Sequence, residues 1–238
     1  GGGLADFTQL GVLTNSNGFD NEVEILGSKT LARRAVTNLK LYVRYSFDGV
    51  LRDEELYRTS PVVADMSPVD LDTLSMPLSM EISPLQEGGY HIEGEALRER
   101  FEADVKSFPV RVKTLSGWVT LRPNPNFAGA SDGRTLRIGI FRPAIMAEAF
   151  LGATSIEPIS KMTTIARITM SDTQRQRAED YMNELIRVYN EDANEVKNEV
   201  ALKTEAFVNK RIKIIDAELG TTESDLELYK NCLLYTSP

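Results

Sequence analysis

The stretch that decides the fold is SDTQRQRAEDYMNELIRVYNEDANEVKNEVALKTEAFVNKRIKIIDAELGTTESDLELYK, residues 171–230. It contains no proline, and Asp172 or Thr173 supplies an N-cap ahead of it. Followed at three- and four-residue steps, one face carries Met182, Leu185, Tyr189, Ala193, Val196, Val200, Thr204 and Val208. The same face continues through Ile212, Ile215, Leu219, Thr222, Leu226 and Tyr229. The mean step is about 3.6 residues, the period of a straight α-helix, and not the 3.5 or so that winds a left-handed coiled coil. The phase survives Gly220, so the spacing predicts one helix over 172–230. At 1.5 Å per residue it runs roughly 80–90 Å. That exceeds the width of any base domain the rest of the chain can build, so most of the helix is expected to project. An apolar stripe on a projecting helix needs a partner. Few other helices are legible in the chain, so the stripe predicts contacts with other subunits or with a returning helix. The residues expected to make them are Met182, Leu185, Tyr189, Val196, Val200, Val208, Ile212, Ile215 and Leu219.

On either side of this helix the ends read differently. The last eight residues, NCLLYTSP at 231–238, lose the helical charges and read as a non-native tail. The opening GGGLADF carries no signal-peptide pattern and reads as the middle of a longer chain, with 1–16 as connector.

Residues 16–41, SNGFDNEVEILGSKTLARRAVTNLKL, are helical in character, yet their apolar stripe changes side. At about 100° per residue, Phe19, Val23 and Leu26 share one face, and that face turns polar at Thr30, Arg33 and Thr37. A second stripe of Ala32, Ala35, Val36 and Leu39 points elsewhere. Two short helices account for this, meeting at Gly27-Ser28, with the Ser28 hydroxyl as the new N-cap.

Between these helical ends the pattern is mostly strand. Residues 42–75 alternate loosely around the turn signals FDG and TSPV. LSMEISPL and YHIEG flank the turn QEGG; PVRVKTL and GWVTLRPNP flank a second turn; RTLRIGIF and MTTIARITM are further strands. EALRERFEADV is ambiguous, its charges pointing to a helix and its neighbours to a hairpin. Pro143 and Gly152 bracket a short helix, AIMAEAFL. The expected fold is therefore α+β: an α/β base domain over 17–171, with a mixed or antiparallel sheet, short helices and a β-rich insertion at about 76–142. One very long projecting helix follows at 172–230.

Composition narrows the function. The chain has 238 residues, 42% of them hydrophobic and 26% charged, as in an ordinary globular protein. A net charge of −8 argues against nucleic acid and against docking on an anionic membrane face. One cysteine, Cys232, allows neither an internal disulfide nor a cysteine metal site, and one histidine, His91, removes His-rich zinc sites. The most apolar run, AIMAEAFLGA, is short and carries Glu148, so it is not a membrane span.

No residue constellation announces an enzyme. GGGLAD lacks the strand, helix and Lys-Ser/Thr context of a phosphate loop, and reads as a connector. Asp65, Asp70 and Asp72 do not follow EF-hand spacing, and read as a solvated acidic loop. His91 has no nucleophile beside it, and reads as an exposed strand residue. Nothing in the spacing selects one carboxylate pair for glycoside hydrolysis. The basic spots are Arg33-Arg34 and Arg175/Arg177. They read first as solvated faces with ion pairs, and second as contacts to an acidic glycan or a neighbouring protomer. No catalytic, cofactor or metal residue is assigned.

Four segments together resemble a known family. FDNEVEILGSKTLARRAVTNLKL is similar to the chain-length-determinant (Wzz-type) domain of bacterial polysaccharide co-polymerases. There a short helix rich in E-I-E-x-L leads into Ser-x-x-L and a second helix ending in Leu-x-Leu. FPVRVKTLSGWVTLRPNP, SKMTTIARITMSDTQRQRAEDYMNELIRVYNEDA and ELGTTESDLELYK resemble the longer co-polymerases fused to a cytoplasmic tyrosine autokinase, in the form found in Bacteroides-type bacteria. The resemblance covers most of residues 15–230 in the same order. It implies a periplasmic segment held between two transmembrane helices of the inner membrane. It further implies a homo-oligomeric ring that sets the length of capsular or exopolysaccharide chains. The implied partners are a polysaccharide polymerase and an outer-membrane exporter, with glycan contact left open. The kinase's nucleotide loop and tyrosine-rich tail are not in this sequence, so the fragment is expected to be non-enzymatic. Gly27 stands where the family has a larger polar residue, which implies a looser junction. The alternative from another class is the periplasmic adaptor hairpin of a secretion or efflux system, which also sets a long helix on a β-rich base.

Overall fold

The computed structural model describes residues 15–49, 53–127, 129, 133–160 and 164–235, with the backbone alone described at 15–18, 221 and 223–235. The phosphate-loop candidate GGGLAD lies outside the described residues, as do 161–163 and 236–238. The architecture is α+β with one very long C-terminal helix.

Three antiparallel sheets form the β part. Six strands, β1 (Val43–Phe47), β2 (Glu54–Leu56), β4 (Leu78–Pro84), β5 (Tyr90–Ala96), β6 (Glu99–Val105) and β9 (Leu136–Ile140), pair in the order β2-β1-β9-β4-β5-β6. A second sheet joins β3 (Val62–Met66), β8 (Gly117–Pro123) and β7 (Val110–Thr114) in the order β3-β8-β7. The strands β10 (Thr154–Pro158) and β11 (Ala166–Met170) form a two-stranded ribbon.

Alternation sets which face is buried. On β4, Leu78, Met80 and Ile82 are buried while Ser79, Glu81 and Ser83 between them are not. The register carries this across the sheet: Met80 stands opposite both Ile138 of β9 and Gly94 of β5, and Ile82 opposite both Leu136 and Ile92. A slip of one residue would turn this whole apolar set to solvent. Each fully buried aliphatic side chain contributes about 1.5–3 kcal/mol through burial. Within the residues from 78 to 140, β4, β5, β6 and β9 join the sheet that holds β1, while β7 and β8 pair with β3 in the second sheet.

The ambiguous segment EALRERFEADV is a hairpin. Leu97 and Arg98 form its tip with φ of 54° and 68°, two consecutive left-handed residues, as a tight turn matched to the strand twist requires. Neither residue is a turn former by type, which is why the sequence gives no punctuation there. Opposite Gly94 lies Phe101, and a Cβ at Gly94 would come within 2.5 Å of that ring. The aromatic therefore fills the space the glycine leaves in the sheet.

The helical prediction at Gly27-Ser28 is observed. The helix α1 spans Asn15–Leu26 and α2 spans Lys29–Asn38, with the Ser28 hydroxyl accepting from the Leu31 N–H at 3.3 Å. Phe19, Val23 and Leu26 are the half-buried positions of α1, which packs along β10. In α2 the buried residues are Leu31, Ala32, Ala35 and Val36, and this helix packs on α4 (Pro143–Gly152). Two partners in two directions explain the change of face. The junction is closed by Gly27 N–H to Val23 O and Ser28 N–H to Ile25 O, each 3.0 Å. A short helix α3, Pro68–Thr73, is capped by Ser67.

The last helix, α5, runs from Arg175 to Tyr235, 61 residues. The chain divides into two compact units at Tyr189/Asn190, so the first turns of α5 belong to the sheet-bearing unit. Ala178, Tyr181, Leu185 and Val188 join that unit's core, and the Tyr181 ring lies 4.8 Å from Phe150 of α4, tilted by 46°. From Asn190 onward the second unit is helix through Tyr235. No described helix is long and apolar enough to cross a membrane.

Candidate functional site

The nine stripe residues separate into two groups. In the first unit Leu185 is fully buried, and Met182 and Tyr189 pack half-buried against the core. The buried face here is Ala178, Tyr181, Leu185 and Val188, so a trace that starts at Met182 runs along its edge. Tyr181 and Val188 could have been found by choosing the phase with the largest side chains. In the second unit Val196, Val200, Val208, Ile212, Ile215 and Leu219 are all between 46% and 58% exposed. Phe207 and Ile214 are exposed too, and fall within the roughly 160° of helix surface that these six already span at 100° per residue. Six predicted contact residues thus have no cover among the described residues.

At the start of α5 the sequence reading of Arg175/Arg177 as a solvated face with ion pairs holds for Arg175 and needs correction for Arg177. Arg175 is exposed and pairs with Glu179 one turn on, at 2.7 Å. Arg177 is buried, with 7% exposure, and its guanidinium holds Asp172 and Glu55 together. Asp172 also accepts from the Gln174 N–H at 2.9 Å, and Thr173 donates to Glu55 at 2.7 Å. Burial works most strongly against ionisation of both carboxylates, but the hydrogen bonds from Arg177 and Thr173, with the Arg177 charge, together outweigh it and hold both below their ordinary range. The result is a charged clamp that fastens the helix start to β2. It is structural, and the sequence hid it because Glu55 lies over 100 positions from Arg177.

The polar side of α2 forms one wall of a cleft of about 1140 Å³, whose other walls are α3, α4 and the three-stranded sheet. Here the acidic trio is resolved, and it is not a loop. Asp65 sits on β3 and binds Lys40 at 3.1 Å and Arg122 at 2.6 Å. Asp72, on α3, takes both its oxygens to Arg33 at 2.7 and 2.8 Å. Asp70 lies against Gly117, where a Cβ would come within 2.5 Å of its carboxylate, so the β7–β8 turn fits closely onto α3. Among the described residues no cluster of His, Cys, Asp and Glu could hold a metal.

Arg33 and Arg34 both line this cleft, and Arg33 is committed to Asp72. Burial, with Asp65 nearby, pushes the Tyr42 hydroxyl up to about 12, so it stays a neutral donor on the cleft wall. Across from α2 stands Trp118, 46% exposed, with the Arg111 guanidinium 5.0 Å from its ring centroid. Sequence reading passed over both, because a tryptophan in a strand reads as core.

His91 lies on β5 as expected, half-buried and not free: its Nδ1 is 2.6 Å from Asp104 on β6. The bond to Asp104, above all, raises its pKa. No protein family model matches the chain, and no curated protein matches it either.

Proposed function

We propose that this chain is the periplasmic part of a bacterial polysaccharide co-polymerase, a non-enzymatic scaffold that regulates the length and export of capsular or exopolysaccharide chains. The observation that carries the reading is the apolar band of the second unit, from Val196 to Leu219, left half-exposed on a continuous helix. Such a band costs free energy in water, roughly 25 cal/mol per Å² of apolar surface, until something covers it. Other copies of the same helix can do so all at once, which builds a ring or bundle whose dimensions limit how long a growing glycan stays engaged. The order of segments resembling the chain-length-determinant family supports the same reading. On that resemblance the parent protein is anchored in the inner membrane on both sides of this region and carries the tyrosine autokinase on its cytoplasmic side.

The test is Val200→Asp and Ile212→Asp together in the parent protein. The expected outcome is a smaller oligomer, read by native mass, and a shifted glycan length distribution. An unchanged oligomer with unchanged glycan length overturns the reading.

A further inference from the structure

We infer that the cleft between α2 and the three-stranded sheet binds a segment of oligosaccharide, with Trp118 as the stacking platform. This deepens the proposed function, resting on it only for the biological source of the glycan.

Three observations point to a sugar. Trp118 is the only tryptophan in the chain, and its large apolar ring stands half-exposed in a cleft instead of in the core. An indole face kept open beside polar groups suits a ligand with one flat apolar side, and a pyranose ring presents such a side in its axial C–H groups. Arg111 flanks that ring, and among the described residues it has no carboxylate partner, so its N–H groups are available to hydroxyl oxygens.

The second observation is the lining. Sugar hydroxyls donate and accept at once, so their site must offer both roles side by side. Arg33–Asp72 and Lys40–Asp65 do this as ion pairs with open edges, and Thr37 and Thr120 add hydroxyls. The third is charge. The lining holds five cations, Lys29, Arg33, Arg34, Lys40 and Arg111, against four carboxylates, Asp65, Asp70, Asp72 and Glu148. Lys29, Arg33 and Lys40 are already paired with carboxylates. A polyanion would have to break these pairs, whereas a neutral or weakly charged glycan bridges them as they stand. At about 1140 Å³ the cleft is also larger than most small-molecule pockets, which fits several linked sugars better than one.

The experiment titrates the full chain with cellohexaose, maltohexaose, chitohexaose, hexagalacturonate and inorganic polyphosphate. Intrinsic fluorescence reports on Trp118 alone, and calorimetry measures affinity. The expected result is saturable binding of at least one hexasaccharide with Kd at or below about 1 mM and a change in Trp118 emission. Trp118→Ala is expected to weaken it at least about tenfold, the scale of losing a central aromatic anchor. Trp118→Phe keeps most of the affinity, and Arg111→Gln weakens it several-fold. Because both side chains are exposed, unchanged circular dichroism and Tm show that the fold is intact. Failure of every neutral hexasaccharide to bind overturns the inference, as does hexagalacturonate or polyphosphate binding more tightly than all of them, or Trp118→Ala leaving affinity unchanged. The two readings fail separately. If Val200→Asp with Ile212→Asp shifts glycan length but no hexasaccharide binds, only the cleft assignment falls. If hexasaccharides bind Trp118 while that pair changes nothing, the scaffold reading falls and the cleft stands.

Discussion

The lower turns of α5 and its continuation carry the same apolar period and meet opposite fates. Tyr181, Leu185 and Val188 are fully buried, while Val196, Val200 and Leu219 are more than half exposed. Periodicity says that a helix has a face to bury, and is silent on where the cover comes from. For the first group it comes from this chain's own core. For the second no described residue supplies it, and the proposed scaffold follows from that. The two regions also differ in charge. The lower one is fastened by a partly buried three-residue clamp, Asp172–Arg177–Glu55, with Arg177 at its buried centre, whereas the upper one shows surface pairs such as Lys203–Glu199, both partners mostly exposed. Pairs of the second kind are worth little.

Breaking the clamp tests the comparison hardest. Arg177→Met leaves two carboxylates without their cation, and is expected to cost about 3–5 kcal/mol of stability in urea unfolding. The pH dependence has a definite sign. Asp172 and Glu55 titrate below their ordinary values of 3.8 and 4.5 in the folded state. Their contribution is therefore present above those values and lost as pH falls through the lower folded ones. The gap between the wild type and Arg177→Met should close on acidification. A gap that holds constant down to acid unfolding would show that the clamp is not ionic.

Next in size is a matched pair of truncations. Leu185→Ala opens a cavity in the core and is expected to cost about 2–5 kcal/mol. Val200→Ala in the isolated chain is expected to stay within about 0.5 kcal/mol. Equal losses would mean that the upper band is already covered. A smaller effect is expected at Tyr181, whose buried hydroxyl has no hydrogen-bond partner among the described residues. Burial pushes this group up to about 12. Tyr181→Phe removes the unsatisfied oxygen and keeps the ring against Phe150, so stability should hold or rise by up to about 1 kcal/mol. A clear loss would reveal a hidden partner.

The smallest effect belongs to His91. Its pKa is raised in the folded state, so its bond to Asp104 stabilises below the ordinary value of 6.5 and fades as pH rises through the raised one. His91→Asn should flatten the dependence of Tm on pH above the ordinary value of 6.5, with little change at the alkaline end.

Much of this was legible in advance, where the signal is local. Ser28 caps α2, Pro143 opens α4, and the alternation of Leu78, Met80 and Ile82 marks a half-buried strand; each rests on neighbours a few residues apart. The hairpin at Leu97-Arg98 was not, because its left-handed turn is imposed by the pairing of β5 with β6 and not by its residue types. Nor were the partners of Arg177, Asp65 and Asp72, which come from elements far apart in sequence.

By itself, then, the sequence determined most of the elements and which residues are apolar, since backbone propensity and side-chain period are properties of short segments. Only the tertiary structure decided which apolar faces are covered, which charges are spent on one another, and that Trp118 stands in a cleft. Those depend on distances between residues that chain order does not encode, and burial, which sets their energies, exists only once the elements have packed.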